Sequence, residues 1–123
     1  MARKLSPKTL TRLKNKLLEE EQRLMTAIED LETEREQMRL AESSADHAPD
    51  PENAEGGSLA LDLEMEVSKQ RNAEELLAKV RHALDRMEQG TYGVCEVSGD
   101  PIPVARLDAL PYATTTVEWA HRV

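Results

Sequence analysis

The 123-residue chain has no phenylalanine, one tryptophan, two tyrosines and one cysteine. With aromatics at 2% and apolar residues at 39%, a thick core built on many aromatic anchors is excluded. One thiol excludes an internal disulfide framework and any four-thiolate metal site within a single chain, and it points to a reducing compartment. Apolar runs last only a few residues, so neither a membrane span nor the hydrophobic part of a secretory signal is expected. The expected location is the cytoplasm. Glycine and proline are missing from residues 8–48 and again from 58–89, which leaves room for two long helices.

Positive charge is also in short supply, with 16 Lys and Arg against 24 Asp and Glu for a net −8. Wrapping of nucleic acid by the whole chain is disfavoured, because phosphate neutralisation needs a basic surface. The deficit has an address. Residues 1–41 carry nine basic and eight acidic side chains, and residues 67–123 carry seven and eight. Between them, residues 42–66 hold Glu42, Asp46, Asp50, Glu52, Glu55, Asp62, Glu64 and Glu66 and no Lys or Arg, so the whole excess lies in this central segment.

What is present is a leucine stripe. Ser6-Pro7 has the form of a helix start, a hydroxyl at the cap and proline in the first turn. Leu10, Leu17, Leu24, Leu31 and Met38 then recur every seven residues, with Leu13, Ala27 and Ile28 as a weaker flanking seam. That is a coiled-coil pattern, and it predicts a helix over about 7–41. The remaining positions are mostly Lys, Arg, Glu and Gln, which form helix well and stay solvated.

Pro49, Pro51, Gly56 and Gly57, set among Ser, Asp, Asn and Ala, predict a turn over about 42–57. Beyond it, Leu59, Leu61, Leu63, Met65 and Val67 alternate with smaller or acidic residues, which is a strand signature. A helix also accounts for them. Leu63, Gln70, Leu77 and Leu84 fall on one heptad line and Leu59, Glu66, Ala73, Val80 and Met87 on another, so freedom from Gly and Pro favours one helix over about 58–89, ending at Gly90. Two helices of about 32 residues each span about 48 Å. Facing stripes make an antiparallel hairpin over 1–89, with the acidic turn at the end remote from both termini.

From Gly90 to Val123 closely spaced turn residues and β-branched residues predict a small knob. Tyr92, Val94, Val97, Ile102, Val104, Leu107, Leu110, Tyr112, Val117 and Trp119 are its expected interior. Such a core is marginal alone and gains from packing on the base of the hairpin.

Here the text resembles the DksA/TraR family of bacterial transcription regulators. The residues that carry the resemblance are Ala83-Leu84, Met87, Gly90, Tyr92-Gly93, Cys95, Gly99, Ile102, Arg106-Leu107, Ala109 and Pro111. The resemblance implies a mainly α fold, a long antiparallel two-helix coiled-coil hairpin bearing a zinc-finger-like knob. It also implies RNA polymerase core as partner, with the acidic tip entering the secondary channel to modulate initiation.

The sequence departs from that family in two places. The family knob holds zinc with two Cys-x-x-Cys pairs, a spacing suited to tetrahedral thiolate ligation. Here the matching positions are Cys95, Ser98, Thr116 and Trp119, so Cys95 is the one retained ligand position. A set of Cys95, His121 and Asp100 lacks further ligands at normal spacing. The expectation is a knob ordered without zinc or any other cofactor, with Val97, Val117 and Trp119 packing in its place. At the tip the family often has Asp-x-x-Asp-x-Ala. One register puts Asp50 and Asn53 on the two acids, the other Glu52 and Glu55, and neither restores the motif.

Asp46, Asp50, Glu52 and Glu55 are therefore the candidate tip residues, able to approach a catalytic magnesium or basic channel residues. Some relatives form a guanosine tetraphosphate site at the polymerase interface. Lys79 matches its helix position and Arg106 is a further candidate interface residue, but Leu110 and Ala120 stand where basic residues are wanted.

The leading reading is thus a non-enzymatic, monomeric polymerase regulator. The alternative is a structural or adaptor coiled coil that has lost polymerase binding and pairs its stripe between chains. Arg3, Lys4, Lys8, Arg12, Lys14 and Lys16 make a basic patch, but without interleaved aromatics it reads as a solvated helix face, and no sequence-specific DNA binding is expected. His47, His82 and His121 are too scattered to form a catalytic order, and no phosphate-cradling glycine loop exists.

Overall fold

The structure is a computed structural model that describes the backbone of residues 5–44 and 55–122 and the side chains of 5–41 and 60–120. Its elements are α1 (Pro7–Ser44), α2 (Glu55–Gln89), α3 (Val104–Ala109) and a 3-10 turn (Val117–Arg122). No strand occurs among the described residues. An isolated antiparallel bridge joins Val94 and Pro101.

Local chemistry sets the helix ends. The Thr9 N–H donates to the Ser6 hydroxyl oxygen at 3.2 Å, capping α1 with Pro7 in its first turn. At the other end of α2, Gly90 adopts φ +77°. Its N–H donates to the Met87 carbonyl at 3.2 Å and that of Thr91 to the Arg86 carbonyl at 2.9 Å, which together close the helix in a Schellman motif. The alternating residues from Leu61 to Val67 lie within α2, so heptad spacing and not alternation describes them. Gly56 and Gly57 are helical too. They sit in the first turn, where N–H groups lack intrahelical partners in any case and a flexible residue costs less than in the interior.

Contacts divide the chain into two compact units, Met1–Arg23 with Leu76–Val123 and Leu24–Glu75. In the Leu24–Glu75 unit, Glu32 meets Gln70, while Glu36 and Arg39 lie beside Leu63. Rising numbers on α1 therefore face falling numbers on α2, and the two helices form an antiparallel hairpin. Among the described residues there, Leu24 and Gln70 are the buried side chains, with Leu31, Met38, Leu63 and Ala73 half-buried.

In the other unit the stripes meet as Leu13, Leu17, Leu77, Val80 and Ala83, all buried. Arg81 Nε donates to Glu21 Oε2 at 3.2 Å across the same pair of helices. The C-terminal module belongs to this unit. Its interior consists of Tyr92, Cys95, Ile102, Leu107 and Ala113. The Tyr92 hydroxyl donates to the Pro111 carbonyl at 2.7 Å, and burial and the charge of Asp108 raise the pKa of that phenol. Arg12 and Lys16 of α1 pair with Asp108 of α3 at 2.9 and 3.6 Å. Two members of the basic run therefore serve to tie α3 to α1.

Candidate functional site

The module is built around the turn that carries Cys95. The Cys95 N–H donates to the Asp100 carbonyl at 2.8 Å, and the Gly99 N–H donates back to the Cys95 carbonyl at 2.9 Å, with Gly99 at φ +79°. Gly93 opens the turn at φ +88°, and a Cβ there would stand 3.0 Å from Leu5 Cδ1. Both the positive φ and the close approach require glycine. The Glu96 N–H donates to the Thr114 carbonyl at 2.9 Å, which lays residues 114–116 against the Cys95 turn.

Three of the four positions matched to family zinc ligands come together as a result. The Ser98 N–H points at Cys95 Sγ over 3.5 Å and Thr116 Oγ1 lies 3.9 Å from the same sulfur. Cys95 is 1% exposed. Burial pushes its thiol pKa up, but hydrogen bonds from Ser98 and from the backbone of Ser98, Thr116 and Val97 outweigh that and bring it down to about 6. A polar nest thus favours a thiolate. Trp119, the fourth position, is half-buried in the 3-10 turn.

The expected packing around this turn needs correction. Val97 is 46% and Val117 70% exposed, so neither fills the interior, while Val94, Val104, Leu110, Tyr112 and Trp119 are only half-buried. Hydrogen bonds at the sulfur come from Ser98 and Thr116, the two hydroxyl residues at the matched ligand positions.

This donor set does not fit tetrahedral zinc. One thiol, two hydroxyl side chains and an indole offer one strong ligand where four are needed. Among the described residues, no group of three or more His, Cys, Asp and Glu is placed to hold a metal ion. Asp100 donates its N–H to Ser98 Oγ at 3.3 Å, and the His121 side chain lies outside the described residues.

A network that sequence reasoning missed joins α2 to this turn. His82 Nε2 lies 2.7 Å from Glu96 Oε2, Arg86 lies 3.6 Å from the same oxygen, and Thr114 Oγ1 donates to Glu96 Oε1 at 3.1 Å. Arg86 also donates to the Val94 carbonyl at 2.9 Å. Fourteen residues separate His82 from Glu96, a spacing that carries no local signal.

Beside the network runs an open groove of about 500 Å³ whose walls include Lys79, His82, Arg106, Leu110 and Ala120. The two candidate interface residues, Lys79 and Arg106, thus share one groove. Lys79 is exposed, whereas Arg106 donates to the Thr115 carbonyl at 3.0 Å and is held in place. The tip candidates Asp46, Asp50 and Glu52 lie outside the described residues. Glu55 is the first residue of α2, and its side chain is outside them as well.

Residues 90–118, the turn and its partner segment, match the family described as the prokaryotic dksA/traR C4-type zinc finger. Over 69 residues the chain is 41% identical to the RNA polymerase-binding transcription factor DksA of Caulobacter vibrioides, covering 56% of this chain and 49% of that protein. The solved structure of transcription factor DksA2 from Pseudomonas aeruginosa superimposes with a TM-score of 0.76 at 26% identity, covering 95% of this chain and 84% of that one. The C-terminal module thus resembles the DksA/TraR zinc finger, and the fold is that of DksA2. The chain is also 46% identical over 65 residues to general stress protein 16O of Bacillus subtilis, covering 53% of this chain and 40% of that protein. The chain therefore spans less than half the length of these two curated relatives. The C4 description implies four cysteine ligands, and the chain has one cysteine.

Proposed function

We propose that this protein is a non-enzymatic transcription regulator that binds core RNA polymerase and inserts the acidic segment between α1 and α2 into the secondary channel, modulating initiation. The observation that carries this reading is the 41% identity over 69 residues to a protein named as an RNA polymerase-binding transcription factor. The fold likeness to DksA2 over 95% of the chain supports it. Asp46, Asp50, Glu52 and Glu55 act as the tip, where carboxylates are attracted to a catalytic magnesium or to basic channel residues. Lys79, exposed at the mouth of its groove, and Arg106, held on Thr115, form the contact nearer the C-terminal module.

The module works without zinc in this reading, because hydrogen bonds to the Cys95 sulfur take over the cross-link that the ion supplies in a C4 knob. The protein acts as a monomer in the cytoplasm and makes no sequence-specific contact with DNA. No helix among the described residues is long and apolar enough to cross a membrane.

Pull-down with core polymerase, with and without a competing channel-binding factor, tests the reading. The competitor displaces the protein, and the triple substitution Asp50→Ala, Glu52→Ala, Glu55→Ala abolishes the transcriptional effect. If the triple variant alters neither binding nor transcription, the tip mechanism fails. A concentration-dependent dimer with no affinity for polymerase supports an adaptor role instead. Elemental analysis of protein purified without added metal finds no zinc, and a stoichiometric ion overturns the metal-free module.

A further inference from the structure

The described part of the Leu24–Glu75 unit has a thin interior. Among its described side chains Leu24, at 3% exposure, and Gln70, at 8%, are the buried ones, so one of its two interior positions is an amide. Leu40, Leu61 and Met65, at 53%, 58% and 51% exposure, add little apolar burial. The other unit buries Leu13, Leu17, Val80, Ala83 and Leu107 without remainder.

Carboxylates fix the Gln70 amide. Its Nε2 donates to Glu32 Oε1 across the helix pair at 3.1 Å and to Glu74 Oε1 on its own helix at 3.0 Å, which uses both hydrogens. Turning the amide over would set its oxygen against two carboxylates, so electrostatics determine which way it points. The consequence is an orphan. Gln70 Oε1 is buried and accepts nothing. One turn earlier on α2, Glu66 Oε2 is buried without a partner as well, although Glu66 Oε1 lies 3.4 Å from Lys69. Buried acceptors that lose water and gain no donor oppose folding of the segment that holds them. A polar residue in a coiled-coil seam lowers stability in the same way.

We propose that the helix pair formed by residues 24–38 and 63–74 opens by itself ahead of the rest of the protein, and that the unpaired amide oxygen of Gln70 sets how readily it does so. Opening returns Gln70 Oε1 and Glu66 Oε2 to water and, among the described side chains, gives up little more than the burial of Leu24 and its half-buried neighbours. In the other unit the same event would expose a continuous apolar interior. The inference goes beyond polymerase binding and does not depend on it.

Native-state hydrogen exchange on the full chain, without any partner, tests it. Helical amides of residues 24–38 and 63–74 exchange at least about 10-fold faster than those around Leu13, Leu17, Val80 and Ala83. Gln70→Leu removes the orphan oxygen and leaves Glu32 and Glu74 to water, and it slows exchange in the first set by about 10-fold with the second set changed less than about twofold. Leu24→Ala accelerates the first set and spares the second. Equal protection of both sets in the wild type overturns the proposal. So does a Gln70→Leu variant in which the first set exchanges at the wild-type rate or faster, or in which both sets slow by one factor.

Discussion

His82 Nε2 stands 2.7 Å from Glu96 Oε2, so that a side chain in the last third of α2 holds the turn that carries Cys95. Glu96 also accepts from Thr114 Oγ1 and faces Arg86, and its own N–H donates to the Thr114 carbonyl. One residue thereby joins α2, the Cys95 turn and residues 114–116. Burial pushes the Glu96 carboxyl up, but hydrogen bonds from His82 and Thr114 and the charges of His82 and Arg86 more than offset it, leaving the group below its usual range.

That shift has a sign. A carboxyl whose pKa is lower in the folded state contributes stability above its ordinary value of 4.5, and the contribution is lost as pH falls through the folded value. Glu96→Gln is expected to cost about 1–2 kcal/mol at pH 7, measured by urea unfolding. Acidification below pH 4.5 should then progressively narrow the gap between the variant and the wild type. A gap that stays constant down to the acid transition excludes the network as its source.

The Cys95 thiolate is a second titrating feature. With its pKa brought down to about 6 from an ordinary 9.0, the folded state favours deprotonation, so its contribution is complete above pH 9 and vanishes as pH falls through 6. Absorbance at about 240 nm, where a thiolate absorbs, is expected to rise with a midpoint near 6 in the native protein and to be flat in Cys95→Ala. The stability lost in that variant should grow between pH 6 and pH 8. A native midpoint near 9 would show that the hydrogen bonds at the sulfur do not outweigh burial.

Gly90 and Gly93 both have positive φ, but their surroundings differ. A Cβ at Gly90 meets nothing within 4 Å, whereas one at Gly93 meets Leu5 Cδ1 at 3.0 Å. Replacement of Gly90 by Ala is expected to cost about 1 kcal/mol from backbone conformation alone. Gly93→Ala should cost more, because Leu5 must also move. Thermal unfolding of the two variants measures the difference, and equal losses would mean that Leu5 yields freely.

Burial separates the apolar residues of the C-terminal module. Leu107, fully buried, should lose about 2–5 kcal/mol on truncation to Ala, whereas Val117, 70% exposed, should stay within about 0.5 kcal/mol. Denaturant titration decides this directly. A large loss at Val117 would restore the packing role that its composition suggested.

Periodicity and punctuation alone determined the helical frame. The heptads from Leu10 to Met38, from Leu63 to Leu84 and from Leu59 to Met87, the Ser6 cap and the Gly90 stop are local in sequence, and the physics that reads them is local too. The resemblance to the family was legible for a related reason, since the turn glycines and buried residues that carry it lie close together in the sequence.

Tertiary structure alone decided the rest. Nothing in the spacing of Val97 and Val117 says that they stay exposed while Ser98 and Thr116 turn to the sulfur, because that depends on which segment lies against the Cys95 turn. The tie between His82 and Glu96 and the clamp of Glu32 and Glu74 on Gln70 likewise join residues through space, where charge and burial act. Composition supplied the charges and the one thiol. Folding settled which charges are paired, which acceptor is orphaned, and that the lone thiol sits in a nest of hydrogen bonds.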